Sequence, residues 1–377
     1  MDKIRIAVIG AGVRAKTVLR LLLGYAGDRA CVATVYDTDE HNVAEAVSLW
    51  GGKDDLRICS TADEAIEGGN IDLVMIFTPN VYHKEFIIKA FKAGKRVFSE
   101  KPLATTVKDC LEVVEAQKRY NGKLLTGFVL RYSPLYRKVK ELLAGGTFGK
   151  IINISASENR VAEAGGSSIA WKSGWRRSKE ISGPHLLEKC SHDFDLLNWF
   201  NDALPLRVAG FGGLDYFKPE YQFLMEKYGE DTFVKLVPPE KRVSPFTAPK
   251  DIKDNHAVIL EYPNGAKVTF QLTLANAIHE RRMYISCTEG TLIPEFFTST
   301  LRYKRYSDPE ETCMQFPVEA HGGSDVAMVR EMVDGLLAGD DRVRRSGDNG
   351  LDCAITALAA EEAIDTGTII DIKEFMS

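Results

Sequence analysis

The chain has 377 residues, more than one hydrophobic core usually serves, so two domains are expected. Apolar residues make up 45% and charged residues 27%, a balance that excludes a disordered chain, a collagen-like repeat and a membrane channel. The formal net charge of -5 supplies no positive field to gather nucleic acid or an anionic membrane, so neither is an expected partner.

The first apolar run, Ile4 to Ile9, is too short for a secretory segment and leads into a glycine turn. No run reaches the roughly 20 apolar residues of a membrane helix. The seven cysteines form no C-x-x-C pair and no residue set has metal-ligand spacing, so a reducing, cytoplasmic location and no metal are expected.

Short apolar runs at Ile4-Ile9, Cys31-Tyr36, Leu73-Phe77, Arg96-Ser99 and Leu124-Phe128 alternate with helical stretches at Lys16-Gly24, His41-Leu49, Lys84-Ala93 and Val107-Tyr120. Strands buried on both faces and separated by crossover helices make a doubly wound parallel sheet, so residues 1–126 are expected to form an α/β Rossmann domain. Beyond residue 127, Ile151-Glu158, Leu206-Gly213, His256-Tyr262, Ala266-Leu274 and Arg282-Cys287 read as strands, with a turn at Pro263-Asn264-Gly265. A helix is expected over Pro184-Asn201, and two more near Asp325-Ala338 and Gly350-Gly367. Residues 127–377 are therefore expected to form an α+β domain with a mostly antiparallel open sheet, whose exposed face implies a homo-oligomer, dimer or tetramer. The aromatic-rich stretch at about 215–250 reads as an inserted lid or interface arm, and Arg342-Arg345 as a solvated helix end.

Gly10-x-Gly12-x-x-Ala15 follows the first strand and opens a helix. Gly10 permits a tight turn, Gly12 lets the backbone approach a pyrophosphate, and Ala15 allows close packing, while the helix N-terminus attracts phosphate. Val13 and Arg14 belong to the same turn, and Arg14 is positioned to add a phosphate contact. Asp37 ends the second strand, where a carboxylate accepts the ribose hydroxyls and repels a 2′-phosphate, favouring NAD over NADP. Thr78-Pro79-Asn80, with His83 after it, and Glu100-Lys101-Pro102 follow later strands at their carboxyl ends, the edge that borders a nicotinamide crevice in such sheets.

These motifs, with Gly127-Phe128 leading to Arg131 and Pro134, His192-Asp193-Phe194-Asp195, and His321-Gly322-Gly323-Ser324-Asp325, give the chain a resemblance to the Gfo/Idh/MocA oxidoreductases along nearly its whole length. The family pairs the lysine of its Glu-Lys-Pro motif with an Asp-x-x-x-His pair; here Glu188-x-x-x-His192 stands at that place. On one continuous helix that spacing puts Glu188 and His192 on one face, joined by Asp195.

The resemblance implies hydride transfer between a nicotinamide and a secondary hydroxyl of a sugar, cyclitol or related polyol. His192 takes the hydroxyl proton, as an imidazole titrating near neutrality can. Lys101 stabilises charge on the same oxygen. Glu188 orients His192 or binds a neighbouring hydroxyl, and Asp195 binds a hydroxyl. The extra methylene of Glu188 over the family's Asp moves its carboxylate and bears on substrate preference. Arg131, Trp175 and Arg176 are further substrate-binding candidates, by stacking and guanidinium contacts. His256 and His279 read as ordinary sheet residues, and His185 carries no signal of its own. Two other uses of the same parts stand beside the dehydrogenase: a redox-neutral glycosidase that oxidises, eliminates and reduces with retained NAD, and a non-catalytic NAD sensor.

Overall fold

The computed structural model describes residues 3–51, 56–317, 323–339 and 346–376. His321, Gly322 and Arg342-Arg345 lie outside these. The chain divides into two compact units, Met1–Tyr132 with Gly323–Ala354, and Ser133–Gly322 with Ile355–Ser377.

The first unit is built on six parallel strands: β1 (Ile4–Ile9), β2 (Ala30–Tyr36), β3 (Arg57–Ile58), β4 (Leu73–Ile76), β5 (Arg96–Ser99) and β6 (Lys123–Thr126). Their order is β3-β2-β1-β4-β5-β6, the doubly wound arrangement in which strand order reverses beside β1. Ile4, Ile6, Val8 and Ile9 of β1 have no exposed surface, because helices cover both faces of the sheet. Each such side chain adds about 1.5–3 kcal/mol on burial.

The return of the chain at Gly323 departs from the division expected at residues 126 and 127. The Ser324–Ala338 helix packs on the Val13–Ala26 helix, where Asp325 receives Arg14 at 2.8 Å and Asp334 accepts from the Tyr25 hydroxyl at 3.0 Å. Downstream, a Cβ on Gly350 would fall 2.9 Å from Leu103. These contacts join segments more than 200 residues apart, which no local pattern announces.

The second unit carries nine strands: β7 (Ile151–Val161), β8 (Arg207–Gly213), β9 (Asn255–Glu261), β10 (Lys267–Asn276), β11 (Glu280–Cys287), β12 (Gly290–Glu295), β13 (Thr300–Arg305), β14 (Thr312–Gln315) and β15 (Ile370–Asp371). The order is β14-β13-β12-β11-β7-β10-β9-β8-β15. β7 and β10 run parallel and the other neighbours antiparallel. Side chains alternate strictly in β9 and β10: His256, Val258, Leu260, Val268, Phe270 and Leu272 are buried, and the residues between them are exposed. The outward face carries Phe211, Ile259 and Tyr284, exposed by 82%, 56% and 44%.

The expected Pro184-Asn201 helix is two helices. His185–Glu188 ends at Lys189 and Cys190 (φ -89, ψ 6), and Ser191–Asn201 starts afresh. Glu188 and His192 therefore do not share one continuous helical face, and the spacing argument for their alignment does not hold.

The 215–250 stretch packs into its own unit. Phe217 and Phe233 lie 5.3 and 5.2 Å from Phe246, ring centre to ring centre, all three buried. The buried Asp254 carboxylate anchors its start by accepting the amides of Asp215 and Phe217, both at 2.7 Å. Among the described residues no helix is long and apolar enough to cross a membrane.

Candidate active site

In the first unit, the turn after β1 is fixed by sterics. Gly10 has φ +87 and donates its amide to Tyr36 at 2.8 Å. A Cβ there would lie 2.9 Å from the Phe77 carbonyl carbon, so both conformation and space demand glycine. A Cβ at Gly12 would meet nothing within 4 Å, which leaves that side of the turn open to an approaching ligand. The Val13–Ala26 helix that follows has no side-chain cap, so its first amides remain available to an anion. Val13 is 69% exposed and Ala15 is buried.

Asp37 does more than end β2. Its Oδ2 accepts the Ala11 amide at 2.6 Å and the Asn42 amide group at 3.3 Å, and its Oδ1 accepts the Asp39 amide at 2.8 Å. Arg14, expected to face phosphate, is engaged elsewhere. Its Nε donates to Glu100 at 2.6 Å and its Nη2 to Asp325 at 2.8 Å, and these two carboxylates hold it firmly protonated against burial.

The two loops at the carboxyl ends of β4 and β5 are clasped by His83, which is fully buried. Its Nδ1 lies 2.7 Å from the Pro102 carbonyl and its Nε2 3.0 Å from the Thr78 carbonyl. Burial lowers its pKa, opposed by the two carbonyls, and a neutral ring donates to one of them at a time. His83 thus positions the Thr78-Pro79-Asn80 and Glu100-Lys101-Pro102 loops from beneath. Asn80 is buried, and the Thr78 hydroxyl finds no hydrogen-bond partner among the described residues. Glu100 accepts Arg14 and, at 3.3 Å, the Lys101 amide, and Gly127 lies so close that a Cβ would sit 3.0 Å from its carboxylate. Lys101 is half-buried, its peptide bond to Pro102 is cis, and Arg131 is half-buried in the Val129–Tyr132 turn.

In the second unit, Trp175, Arg176 and Glu188 come together. The Arg176 guanidinium lies 4.0 Å above the Trp175 ring and its Nε donates to Glu188 at 3.2 Å. Glu188 is buried, His192 is half-buried in the first turn of its helix, and Asp195 is buried on the same helix.

Beside His192 stands a group that the sequence reading missed. Arg281 forks onto Asp193, Nε to Oδ1 at 2.9 Å and Nη2 to Oδ2 at 2.7 Å, and its Nη2 lies 3.8 Å from Glu158. Glu158 also receives Arg160 at 3.1 Å and Lys189 at 3.6 Å. Burial pushes the Asp193 carboxyl up against the pull of Arg281, whereas Arg281, Lys189 and Arg160 hold Glu158 well below the usual carboxylate range despite its burial. The available signal was period-two alternation: Arg281 shares a face with Met283 and Ile285, and Glu158 with Ile154 and Ala156. A charge on an apolar face requires a buried partner. Glu158, Cys190 and Asp193 bring ligand atoms within 4.8 Å of one another, but Arg281, Arg160 and Lys189 already surround their two carboxylates, so a dication fits poorly.

His185 and His256 are buried and neutral, pushed down to about 4 and about 3 by burial. His256 Nε2 lies 3.9 Å from Glu361. His279 stacks on Phe297 at 4.1 Å, just before β11.

Residues 4–128 match the model of an oxidoreductase family with an NAD-binding Rossmann fold, and residues 136–293 match the GFO/IDH/MocA C-terminal domain. The chain belongs to the Gfo/Idh/MocA oxidoreductase family. Its first unit is accordingly an NAD-binding Rossmann domain, and the residues present fit that cofactor: a glycine turn open at Gly12, an uncapped helix start, and Asp37 at the end of β2.

Among curated relatives, inositol 2-dehydrogenase 3 of Saccharopolyspora erythraea is 36% identical over 39% of this chain and 42% of its own. The 2,7-anhydro-N-acetylneuraminate hydratase of Escherichia coli is 28% identical over 56% of this chain and 53% of its own. The matches thus span about half the length of these relatives. Levoglucosan dehydrogenase, solved with NADH and levoglucosan, superposes over 98% of this chain and 99% of its own with a TM-score of 0.79 at 18% identity, a likeness of fold.

Proposed function

We propose that this Gfo/Idh/MocA protein is an NAD-dependent dehydrogenase for a secondary hydroxyl of a sugar, cyclitol or related polyol. The observation that carries the reading is the turn of Gly10 to Val13, pinned by the Ala11 amide to Asp37 at 2.6 Å and left open at Gly12. When bound, NAD supplies the hydride acceptor. Asp37 accepts a ribose hydroxyl and disfavours a 2′-phosphate, so NAD is preferred to NADP. The backbone of Gly12 and Val13 receives the pyrophosphate, and the Thr78-Pro79-Asn80 loop borders the nicotinamide.

His192 removes the hydroxyl proton as general base, and Lys101 donates a hydrogen bond to the same oxygen as negative charge grows on it. Glu188 and Asp195 accept hydrogen bonds from neighbouring hydroxyls, Trp175 with Arg176 across its face adds stacking and cationic contacts, and Arg131 is a further candidate for a guanidinium contact to substrate. Similarity to an inositol 2-dehydrogenase supports a cyclitol or sugar as substrate.

The test is nucleotide reduction, followed by absorbance, on a panel of polyols and sugars. Turnover with NAD that disappears in the Lys101→Ala, His192→Ala double variant is expected. Retained turnover in that variant would refute the assignment of the pair, and no hydride transfer across the panel would favour an NAD sensor.

A second reading draws on similarity to an anhydro-sugar hydratase, whose named reaction is redox-neutral. In it, oxidation of a carbinol acidifies the adjacent C–H, loss of that proton and elimination expel the substituent as its alcohol, water adds across the resulting C=C, and the retained hydride is returned to the ketone. Release of an aglycone from a glycoside without net nucleotide reduction selects this reading over the plain dehydrogenase. The exposed sheet face supports a homo-oligomer in either case.

A further inference from the structure

We propose that Arg281 is a positioning residue for His192, setting the depth and rotation of its imidazole by gripping Asp193, the next residue along the chain. The inference rests on the reading of His192 as the general base.

Three observations carry it. The helix that holds His192 begins after a break at Lys189 and Cys190, so its first turn is not the continuation of the His185–Glu188 helix. Something else must fix that turn. Arg281 does so with a two-point fork, both bonds under 3 Å, on side chains only 6% and 1% exposed. A planar guanidinium on a carboxylate defines direction as well as distance, unlike an apolar contact or a single ammonium.

Arg281 is itself immobilised. It lies opposite Glu158 in the β7–β11 register, and its guanidinium sits 5.5 Å from the Phe296 ring, which stacks on Tyr136 at 6.0 Å. The grip therefore runs from the rigid sheet to the helix. Successive helical residues point about 100° apart, so turning Asp193 inward turns the half-buried His192 toward the rim of that buried layer.

Stability alone is a poor account of this arrangement. A buried Arg with two carboxylates costs desolvation that well-packed apolar side chains avoid, and such replacements are often neutral or stabilising. What the apolar alternative lacks is orientation.

The experiment compares Arg281→Gln, Arg281→Lys and Asp193→Asn with wild type. It measures kcat and KM for the best polyol, nucleotide affinity by calorimetry, melting temperature, and the pH titration of the His192 ring signal in protein labelled at histidine, assigned by its loss in His192→Gln. Arg281→Gln is expected to lower kcat about ten- to a hundredfold, with nucleotide affinity within about twofold, and to shift the His192 signal. Arg281→Lys should restore part of kcat, since it keeps charge but not the fork. If Arg281→Gln fails to fold, Asp193→Asn decides, because it preserves shape and one acceptor while weakening the grip. An unmoved His192 titration, or a kcat within twofold of wild type, overturns the proposal. The ring signal is read without turnover, so the base assignment can fail in the Lys101→Ala, His192→Ala assay while the positioning claim stands or falls separately.

Discussion

The Ala11 amide donates to the Asp37 carboxylate at 2.6 Å, so the residue proposed to select the nucleotide also holds the glycine turn proposed to bind it. Asp37→Ser should therefore do two things at once. NAD affinity should fall by about tenfold or more as a ribose acceptor and the Ala11 anchor are lost, while the NADP-to-NAD preference rises as repulsion of the 2′-phosphate disappears. Calorimetric titration with both nucleotides measures the two effects separately. An unchanged preference would remove Asp37 from cofactor choice.

Gly10→Ala should be worse than Gly12→Ala. The Gly10 Cβ would meet the Phe77 backbone at 2.9 Å in a conformation of φ +87, whereas the Gly12 Cβ meets nothing within 4 Å. The expected cost is about 1–3 kcal/mol of unfolding stability at Gly10 and little at Gly12, where the penalty should fall on nucleotide binding instead. Urea unfolding with and without NAD separates the cases.

His83→Ala should loosen both loops of the first unit. The buried Pro102 carbonyl and the partly buried Thr78 carbonyl lose their shared partner, at a cost of about 1–3 kcal/mol before any cavity effect. KM for NAD should rise more than the fraction unfolded explains. Equilibrium unfolding combined with steady-state kinetics checks this, and wild-type values on both counts would contradict the clasp.

Acid should destabilise the second unit through two buried histidines. His185 and His256 are held neutral by burial, with pKa values near 4 and 3 against an ordinary value of 6.5, so the unfolded chain binds more protons than the folded one below about pH 6.5. Their contribution is complete above that value and is lost as pH falls toward 4. For His185 alone the loss is on the order of 2 kcal/mol at pH 5. The charged groups facing the pair are Glu188, Glu158, Lys189 and Arg160 at His185, and Lys253, Lys179, Asp365 and Glu361 at His256. Denaturant midpoints at pH 7 and pH 5 should differ less in His185→Gln than in wild type; an equal difference would clear His185 of the effect.

If the open face of the large sheet mediates self-association, charges placed there should weaken it. Phe211 and Ile259 point outward on paired strands, so the Phe211→Lys, Ile259→Lys variant should elute at lower mass than wild type by light scattering, with its secondary structure intact. A mass unchanged by both charges would place the contact elsewhere.

How far the sequence could be read depended on how local each signal was. β1 and its glycine turn were legible because burial on both faces and the Gly10 spacing lie within a dozen residues. β12 and β13 were not: Pro294 interrupts one, and Arg302, Lys304 and Arg305 make the other look like a loop. The break at Lys189 and Cys190 contains neither glycine nor proline, so nothing local marked it. Asp325, which helps hold Arg14, lies 311 residues away from it, and Asp193 lies 88 from Arg281. Such pairs exist only once the chain has folded. The alternation that placed Arg281 and Glu158 inward was there to be seen, but their partners were not.

The first unit is also discontinuous in time. A ribosome delivers Arg14 and Glu100 early, but Asp325 only after the whole of the intervening unit has been made. A nascent chain ending at Tyr132 would carry the complete parallel sheet with the Ser324–Ala338 helix still missing from its flank. Maturation of the nucleotide domain is therefore coupled to translation of residues 133–322 of the other unit, and a fragment cut at the end of the sheet would be a different object from the domain in the finished protein.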